Sequence, residues 1–402
     1  MRALPLSLLL VLASSCGAQF APETLVDSLR ILSVTSDPPE VRPGEGSTLS
    51  VLYGDPTRVG QPSTVIWVGC EPDPLDLNRN ACNDASLLIK PSTITSYPEG
   101  LKLLGFSQKA VYSATPGVFD VLAPDDVIRQ AGSIGQVIVI VIAEEISVNL
   151  MGDELTKVFQ RIENKELPTA IALTRIVVSE KQDEATRNHN PEIRTLTFNG
   201  AALPVGARLL VHAGEEVQLG VEVPESSRER YVEKQPTGDV SKQEVVVGAW
   251  YSSGGRFSKE RFDVTDTAPT VYTAPGSMKF PEDPVPEKRS GQLWLVVRDN
   301  RGAQSYQQFR TFVCDETQPT PVVKSLMPPA SATDPVVVLG DNLQKATDVV
   351  IGDYALVNGA FSSAQGGFVG FLPEGLPAGT YPVRVRGQNC SDTATGLTFT
   401  VP

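Results

Sequence analysis

This sequence has very little histidine. It also has no long apolar run and no surplus of basic residues. Its 402 residues include only two histidines, His189 and His212, which leaves little material for a histidine-based metal site or a catalytic relay. Lysine and arginine number 34 against 47 aspartates and glutamates, a net charge of −13. Binding to phosphates requires a basic face, so this charge balance argues against a non-specific nucleic-acid binder. The apolar runs Ala3–Leu12 and Val137–Ala143 are both too short to span a bilayer.

Catalytic signatures are also missing. The sequence contains no G-x-S-x-G, H-E-x-x-H or G-x-x-x-x-G-K-[ST] motif and no Rossmann glycine fingerprint. His212 ends a strand-like segment and His189 lies in a polar turn, so both are interpreted as structural. The sequence therefore predicts a protein that is not an enzyme, with no catalytic residue, no cofactor and no metal.

Glycine and proline are plentiful instead, at 33 and 32 residues. This share favours many turns and short elements and leaves little room for long helices. A hydrophobic content of 41% with 20% charged residues is typical of chains that bury cores, and the length suggests two to four domains.

The first residues have the three parts of a secretory signal: a basic residue at Arg2, an apolar core, and small residues. The signal ends in Ala13-Ser14-Ser15-Cys16, which resembles the lipobox of bacterial lipoproteins. The resemblance implies cleavage after residue 15, a lipid on Cys16, and attachment to the cell envelope. Because Gly17 is not aspartate, it also implies sorting to the outer membrane in a host with two membranes. The alternative is an ordinary cleaved signal in which Cys16 is lost.

Export changes how the other cysteines are interpreted. Cys70, Cys82, Cys314 and Cys390 are an even number in an oxidising compartment, which favours disulfides. Three pairings are open; position favours Cys70 with Cys82 and Cys314 with Cys390. A zinc site and free thiols are the alternatives, and neither a C-x2-C nor a C-x4-C spacing supports zinc.

An internal repeat indicates the fold. Gly44-Glu45-x-x-x-Leu49-x-Val51 is matched by Gly214-Glu215-x-x-x-Leu219-x-Val221, and each copy continues into an apolar strand that carries Trp67 or Trp250. Strand, glycine turn, strand and a strand with a buried tryptophan resemble an immunoglobulin-like β-sandwich. We therefore predict Trp67 and Trp250 to be equivalent core residues. Residues 124–131 and the helical spacing of Leu155 to Ile162 predict two short helices inserted in the first copy.

The second copy closes with a Val297-x-Asp299-x-x-Gly302 turn, which resembles the last hairpin of Ig-like and PKD-like domains. The chain then starts again after Pro319 and Pro321. Two segments, residues 336–343 and 372–385, resemble the opening and the Gly379-x-Tyr381 strand of IPT/TIG domains. That resemblance implies a third Ig-like fold.

An acidic loop, residues 73–80, offers oxygen ligands, and Asp76-x-Asn78-x-Asn80 matches the start of a calcium loop. Ala81 and Leu87 occupy the positions where such a loop needs glycine and glutamate, so a solvated loop is preferred to a calcium site.

The sequence thus predicts an all-β protein with three tandem Ig-like β-sandwiches. The parts are a signal peptide (1–15), a tether (16–27), a sandwich with helical insertions (28–182), a second sandwich (190–314) and an IPT/TIG-like sandwich (318–402). We expect the domains to stack into a stalk, with a hinge at residues 180–190. The expected function is adhesion or scaffolding: the Ig-like modules bind a protein or polysaccharide partner. The alternative is an accessory subunit of an envelope export, motility or carbohydrate-processing complex.

Overall fold

The computed structural model describes residues 22–75, 82, 100–146, 153–235, 238–329 and 334–401. Strands account for 49% of the chain and helices for 8%, which confirms the prediction of an all-β protein. No helix in these ranges has both the length and the apolar character needed to cross a membrane. The strands form three successive two-sheet units, called sandwich 1 (residues 30–178), sandwich 2 (residues 195–313) and sandwich 3 (residues 322–401).

Sandwich 1 has eight strands and two helices in the described ranges. They are β1 Arg30–Asp37, β2 Glu40–Val41, β3 Gly46–Gly54, β4 Thr64–Cys70, β5 Leu101–Gly105, β6 Lys109–Ser113, α1 Val127–Ala131, β7 Ser133–Ile142, α2 Asp153–Glu163 and β8 Thr169–Val178. One sheet has the order β1-β3-β6 and the other β2-β8-β7-β4-β5.

Strand β7 is buried on both faces, which explains why its sequence does not alternate. Val137, Val139 and Val141 face the core between the two sheets. The intervening Ile138, Ile140 and Ile142 face Leu155, Val158 and Phe159 of α2, which covers the outer side of the sheet. The helix presents its apolar residues at positions i, i+3 and i+4, as the sequence pattern predicts.

Sandwich 2 contains twelve strands in the part of the chain described. They are β9 Thr195–Phe198, β10 Ala201–Ala202, β11 Leu209–Val211, β12 Glu216–Glu222, β13 Arg230–Gln235, β14 Gly238–Gln243, β15 Val246–Ser252, β16 Arg256–Phe257, β17 Arg261–Asp263, β18 Thr270–Thr273, β19 Ser290–Asp299 and β20 Gln304–Val313. The two main sheets have the orders β10-β9-β12-β18-β16 and β11-β20-β19-β15-β17, and β13-β14 form a separate hairpin.

The two copies of the sequence repeat occupy matching places in the first two sandwiches. Gly44 and Gly214 both adopt positive φ angles, 85° and 70°, in the turn before β3 and β12. Trp67 on β4 lies opposite Val139 of β7, and Trp250 on β15 lies opposite Leu295 of β19. Each of these partner strands pairs antiparallel with the next strand, β8 or β20.

Sandwich 3 is the smallest unit. Its strands are β21 Val322–Met327, β22 Val336–Asp341, β23 Ala346–Ile351, β24 Tyr354–Ala355, β25 Val357–Ser362, β26 Gly367–Phe371, β27 Gly379–Gly387 and β28 Asp392–Val401. They pair in the orders β21-β22-β26-β25 and β24-β23-β27-β28, around a core that includes Val338, Val349, Phe368 and Val385.

Sandwiches 1 and 2 lie face to face, not end to end as a stalk requires. The outer side of β1 and β3 contributes Leu32 and Leu52, and the outer side of β15 and β19 contributes Tyr251 and Trp294. Val26, Ala249 and Val296 complete this apolar cluster, in which Trp294 is 0% exposed. The cluster is separate from both domain cores, so the two sandwiches are held together by a hydrophobic interface of their own.

The segment assigned to the tether takes part in the same interface where it is described. The amide of Val26 donates to the carbonyl of Ser252 (2.8 Å), and the amide of Ser252 donates to the carbonyl of Thr24 (2.9 Å). These bonds place residues 24–26 parallel to β15. The chain is therefore fixed to sandwich 2 before it enters sandwich 1.

The prediction of a hinge at residues 180–190 is wrong. Glu40 is 1% exposed, and its carboxylate accepts hydrogen bonds from Lys181 Nζ and from the amide of Asn188 (2.8 Å). Arg187 pairs with Glu45 at 3.0 Å. A polar sequence resembles a solvated linker, but here the polar groups satisfy the buried carboxylate of Glu40 and pair with the half-buried Glu45, and these contacts fix the segment.

Sandwiches 2 and 3 are joined covalently. Cys314, one residue beyond β20, bonds to Cys390 in the turn between β27 and β28, with the two Cα atoms 5.5 Å apart. The amide of Asp315 donates to the carbonyl of Gln388 (2.8 Å) beside it. Closing a loop with a sequence separation of 76 residues restricts the unfolded chain by about 4–5 kcal/mol in the chain-entropy view.

Trp294→Ala is expected to separate sandwiches 1 and 2, since it removes the largest side chain of their interface. Trp250→Ala is the matched control, because that indole is equally buried but lies within the core of sandwich 2. Both variants should lose about 3–5 kcal/mol of unfolding free energy. Only Trp294→Ala should raise the radius of gyration measured by small-angle X-ray scattering. An unchanged radius in that variant would contradict the interface.

Candidate functional site

The four cysteines form the two disulfides that their positions in the sequence favour. Cys70 pairs with Cys82, with Cα atoms 5.8 Å apart, and Cys314 pairs with Cys390. The first bond lies in the apolar layer between α2 and the outer face of sandwich 1, where both cysteines are buried. Cys16, the predicted lipidation site, lies outside the described residues.

Trp67 and Trp250 are each 0% exposed, in the cores of sandwiches 1 and 2. Their surroundings differ in one respect. Trp67 Nε1 donates to the carbonyl of Ser107 at 2.8 Å, whereas Trp250 Nε1 has no hydrogen-bond partner among the described residues and its ring stacks on Phe257 at 6.1 Å. Both residues fill space between sheets, so neither belongs to a binding surface.

The two histidines each contact a carboxylate at the surface. His189 Nδ1 lies 2.6 Å from Glu229 Oε1, and His212 Nδ1 lies 3.0 Å from Glu316 Oε1. Neither is part of a metal-binding group: within the described ranges, no cluster of three or more His, Cys, Asp or Glu residues could hold an ion. Of the acidic loop, Asp73 accepts a hydrogen bond from the amide of Leu75, and Asp76, Asn78 and Asn80 lie outside the described residues.

A groove of about 700 Å³ opens where the two sheets of sandwich 2 part at one edge. On one side is β9, and on the other is β20. Strand β10 pairs with only the last two residues of β9, and β11 pairs with β20 only from Thr311 onward. At this edge, therefore, no strand in the described ranges covers the gap between Thr195 of β9 and Phe309 of β20. The groove arises from this incomplete edge pairing.

The floor of the groove is apolar and its rim is polar. Phe198 and Phe309 meet edge to face across the gap, with ring centroids 5.3 Å apart and an interplanar angle of 73°. The remaining apolar lining includes Leu196, Leu203, Pro204 and Val205, and the polar lining includes Gln292, Gln307 and Gln308. An apolar cavity with a few polar groups at its edge is the usual character of a ligand site.

Both charged side chains that line the groove are arginines. Arg194 already has carboxylates nearby, Glu222 at 3.4 Å and Glu192 at 3.6 Å. Arg310 donates to the carbonyl of Gly206 at 2.8 Å and forms no ion pair with any described residue. Desolvation of its guanidinium, together with the positive charge of Arg208, lowers the pKa of Arg310, although the negative charge of Asp348 opposes the shift. Arg310 is therefore the charged side chain of the groove that has no direct ion-pair partner among the described residues.

Sandwich 3 holds the end wall of the groove in place. The carbonyl of Asp353 accepts from the amide of Val205 (2.8 Å), and the carbonyl of Val205 accepts from the amide of Ala355 (2.8 Å). Ala207 packs against Val350 and Ala355. Since residues 203–207 form the wall, the shape of the groove depends on the joint between the two sandwiches.

A buried ion network fixes the same joint. Arg208 of sandwich 2 pairs with Asp348 of sandwich 3 at 2.9 Å, and Asp348 is 4% exposed. Arg386 lies between Asp348 (3.8 Å) and Asp392 (3.4 Å) and donates to the carbonyl of Arg208. Burial lowers the pKa of Arg386, although both carboxylates oppose the shift. Charges buried this deeply require their partners, so the network specifies the orientation of the two sandwiches.

The groove residues were not recognised from the sequence. Inward-facing positions of β20 alternate as Ser305, Gln307, Phe309, Thr311 and Val313, opposite the apolar residues of β19. The long polar side chain of Gln307 at an inward position is a signal that sequence reasoning could use, because a fully covered strand would carry an apolar residue there.

Comparison with known proteins gives no family. No protein-family model matches the chain, and no curated protein matches it. The IPT/TIG resemblance of residues 318–402 therefore stays a prediction.

Solved structures do align with the chain, and the following three do so at low identity. The glucan-utilisation protein SGBP-B of Bacteroides ovatus is 12% identical over 94% of this chain and 71% of that chain, with a TM-score of 0.18. Domains 3–5 of the Drosophila OTK ectodomain are 13% identical over 95% and 99%, with a TM-score of 0.17. Domains 4–9 of the surface layer protein SbsC are 11% identical over 94% and 47%, with a TM-score of 0.16. At these TM-scores the likenesses carry no argument about the function of this chain.

Asp348→Asn is expected to lower the unfolding free energy by about 3–5 kcal/mol, because it leaves Arg208 and Arg386 with too little negative charge in a buried place. Asp392→Asn is the matched control: its side chain is 37% exposed, so its loss should cost about 1 kcal/mol or less. Denaturant unfolding measures both. Equal effects of the two substitutions would refute the role assigned to Asp348.

Proposed function

We propose that this chain is an exported, lipid-anchored, non-enzymatic protein of the cell envelope, and that it binds a protein or polysaccharide partner in the groove of sandwich 2. The observation that carries the proposal is the construction of the groove. It opens at an incompletely paired sheet edge, and a neighbouring sandwich supports its wall through hydrogen bonds and a buried ion network. A site held this way is preorganised for binding.

The rigid frame supports a scaffold role. An apolar interface fixes sandwich 1 on sandwich 2, and a disulfide fixes sandwich 3. A partner bound in the groove would thus be held at a set position and orientation relative to the whole molecule. Such a frame suits a protein that positions a partner in the envelope.

The chemistry of the lining supports binding over catalysis. Its polar side chains are amides, guanidinium groups and the hydroxyl of Thr195. Amides donate and accept hydrogen bonds, and guanidinium groups donate them. Neither group changes its protonation state near neutral pH, which suits recognition rather than acid–base catalysis. The proposal therefore includes no catalytic residue and no cofactor.

Two features support export and anchoring. The disulfides Cys70–Cys82 and Cys314–Cys390 are typical of proteins that fold in an oxidising compartment. The signal sequence ends at Cys16 in a lipobox-like context, and Gly17 follows it. Several acyl chains on one cysteine hold a protein firmly to a membrane.

Cys16→Ala is expected to move the protein from the membrane fraction to the soluble fraction, because the residue that would carry the lipid is removed. Fractionation of the host followed by immunoblotting measures the shift, and labelling with a radioactive fatty acid checks the wild type. A wild-type protein without label, together with unchanged fractionation of the variant, would exclude lipid anchoring.

A photoreactive benzoylphenylalanine at position 307 is expected to capture the partner in intact cells, since Gln307 lines the groove. The same group in place of Gln218 is the control, because that side chain is exposed on the opposite sheet, on β12. Adducts larger than the 43.1 kDa chain should form at position 307 and not at 218. Similar yields at both positions, or none at either, would contradict the proposed site.

A further inference from the structure

The backbone of β20 has an unpaired stretch along the groove. The amide of Val313 donates to the carbonyl of Arg289 (2.7 Å), and the amide of Asp299 donates to the carbonyl of Ala303 (3.1 Å). These bonds show that the odd-numbered residues of this strand direct their backbone groups toward β19, since the direction alternates along an antiparallel pair. The even-numbered residues therefore point to the open edge.

The two ends of that edge are occupied and its middle is free. At one end, Asn190 Oδ1 accepts a hydrogen bond from the amide of Gln304 (3.1 Å). At the other, the carbonyl of Val211 in β11 accepts from the amide of Cys314 (2.8 Å). Between them, the N–H and C=O groups of Tyr306 and Gln308 have no hydrogen-bond partner in the described part of the chain. A free edge of this kind is a template for another strand.

The groove supplies what an added strand needs beyond backbone bonds. In an extended peptide, alternate side chains point to opposite faces. One set would meet the apolar floor at Phe198 and Phe309, and the other would face solvent. Arg310 lies at the end of the free stretch and forms no direct ion pair with any described residue, so its guanidinium is available to pair with an acidic side chain.

We propose that the groove of sandwich 2 binds an extended polypeptide segment that carries a carboxylate, and that this segment pairs as an additional strand with Tyr306 and Gln308 of β20. The inference rests on the proposed function and names the partner class for the same site. The backbone of the segment forms hydrogen bonds with the unpaired N–H and C=O groups of Tyr306 and Gln308, and its carboxylate pairs with Arg310.

The observations favour a polypeptide over a polysaccharide. The free donors and acceptors repeat every second residue, which is the repeat of a β-strand. In addition, the two phenyl rings of the floor meet edge to face, so they do not form a flat platform on which a sugar ring could stack. An acidic polysaccharide would use Arg310 but would not need the backbone edge.

A phage-displayed library of random heptapeptides, selected on the full chain, tests the proposal. Enriched sequences should contain aspartate or glutamate, and the corresponding synthetic peptides should bind in a fluorescence anisotropy titration. Gln308→Pro removes an N–H that makes no bond within the sandwich, so the fold should persist while peptide affinity falls at least tenfold. Gln308→Ala removes the same side chain but keeps the N–H, so it is the matched control and should lower the affinity much less than Gln308→Pro does.

Charge is tested separately. Arg310→Glu should weaken acidic peptides about tenfold or more, whereas Lys109→Glu, an exposed charge reversal on sandwich 1, should leave the affinity unchanged. A version of the best peptide with alternate amides N-methylated should also bind at least tenfold more weakly. This last arm uses the wild-type protein, so it stays decisive if Gln308→Pro fails to fold.

Three results would overturn the proposal. In the first, the library yields no enriched peptide. In the second, the enriched peptides bind equally well after N-methylation and to Gln308→Pro. In the third, polygalacturonate, an acidic polysaccharide tested in the same titration, binds in a way that depends on Arg310 but not on position 308. The last result points to an acidic polysaccharide. If photo-crosslinking at position 307 captures a partner while peptides fail, the binding function stands and only the strand-addition inference falls.

Discussion

The packing of Trp294 between two sandwiches is the interaction on which the arrangement of this molecule depends. In a tandem Ig-like chain, the outer faces of the sheets are ordinarily solvated. Here the outer face of β15 and β19 is apolar, and the outer face of β1 and β3 covers it. Once this contact forms, the segment at residues 180–190 has no freedom to act as a hinge, and Asn190 is brought to the start of β20, where it ends the free edge.

The contact between sandwiches 2 and 3 is mainly polar, unlike the apolar contact between sandwiches 1 and 2. It buries few apolar residues but contains the Arg208–Asp348 pair, Arg386 and a disulfide. Buried ion pairs add little net stability compared with apolar contacts, but they penalise every arrangement that leaves a charge unpaired. The apolar joint thus supplies adhesion between sandwiches 1 and 2, while the polar joint supplies orientation between sandwiches 2 and 3. The groove lies next to the joint where orientation matters.

Local features of this protein were predictable and those made by long-range pairing were not. The all-β fold follows from alternating strands and from glycine turns such as Gly44 and Gly214. Both features are determined by short stretches of sequence: a glycine adopts a positive φ, and apolar side chains recur at every second residue of a strand. Alternation also shows that Trp294 faces away from the core of its own sandwich, yet it cannot show what covers that side. The groove depends on β11 beginning only at Leu209, and the register between distant strands leaves no mark in a single sequence except the polar Gln307.

The disulfide between Cys314 and Cys390 also has a mechanical consequence. It encloses nearly all of sandwich 3 in a covalent loop, from the end of β20 to the turn before β28. Once β28 has separated from β27, tension applied to β28 would pass from Cys390 directly to Cys314 and into sandwich 2, so strands β21–β27 would carry none of the load. Under a pull on β28, that strand alone could peel away from sandwich 3, and the groove wall formed with β24 would keep its shape.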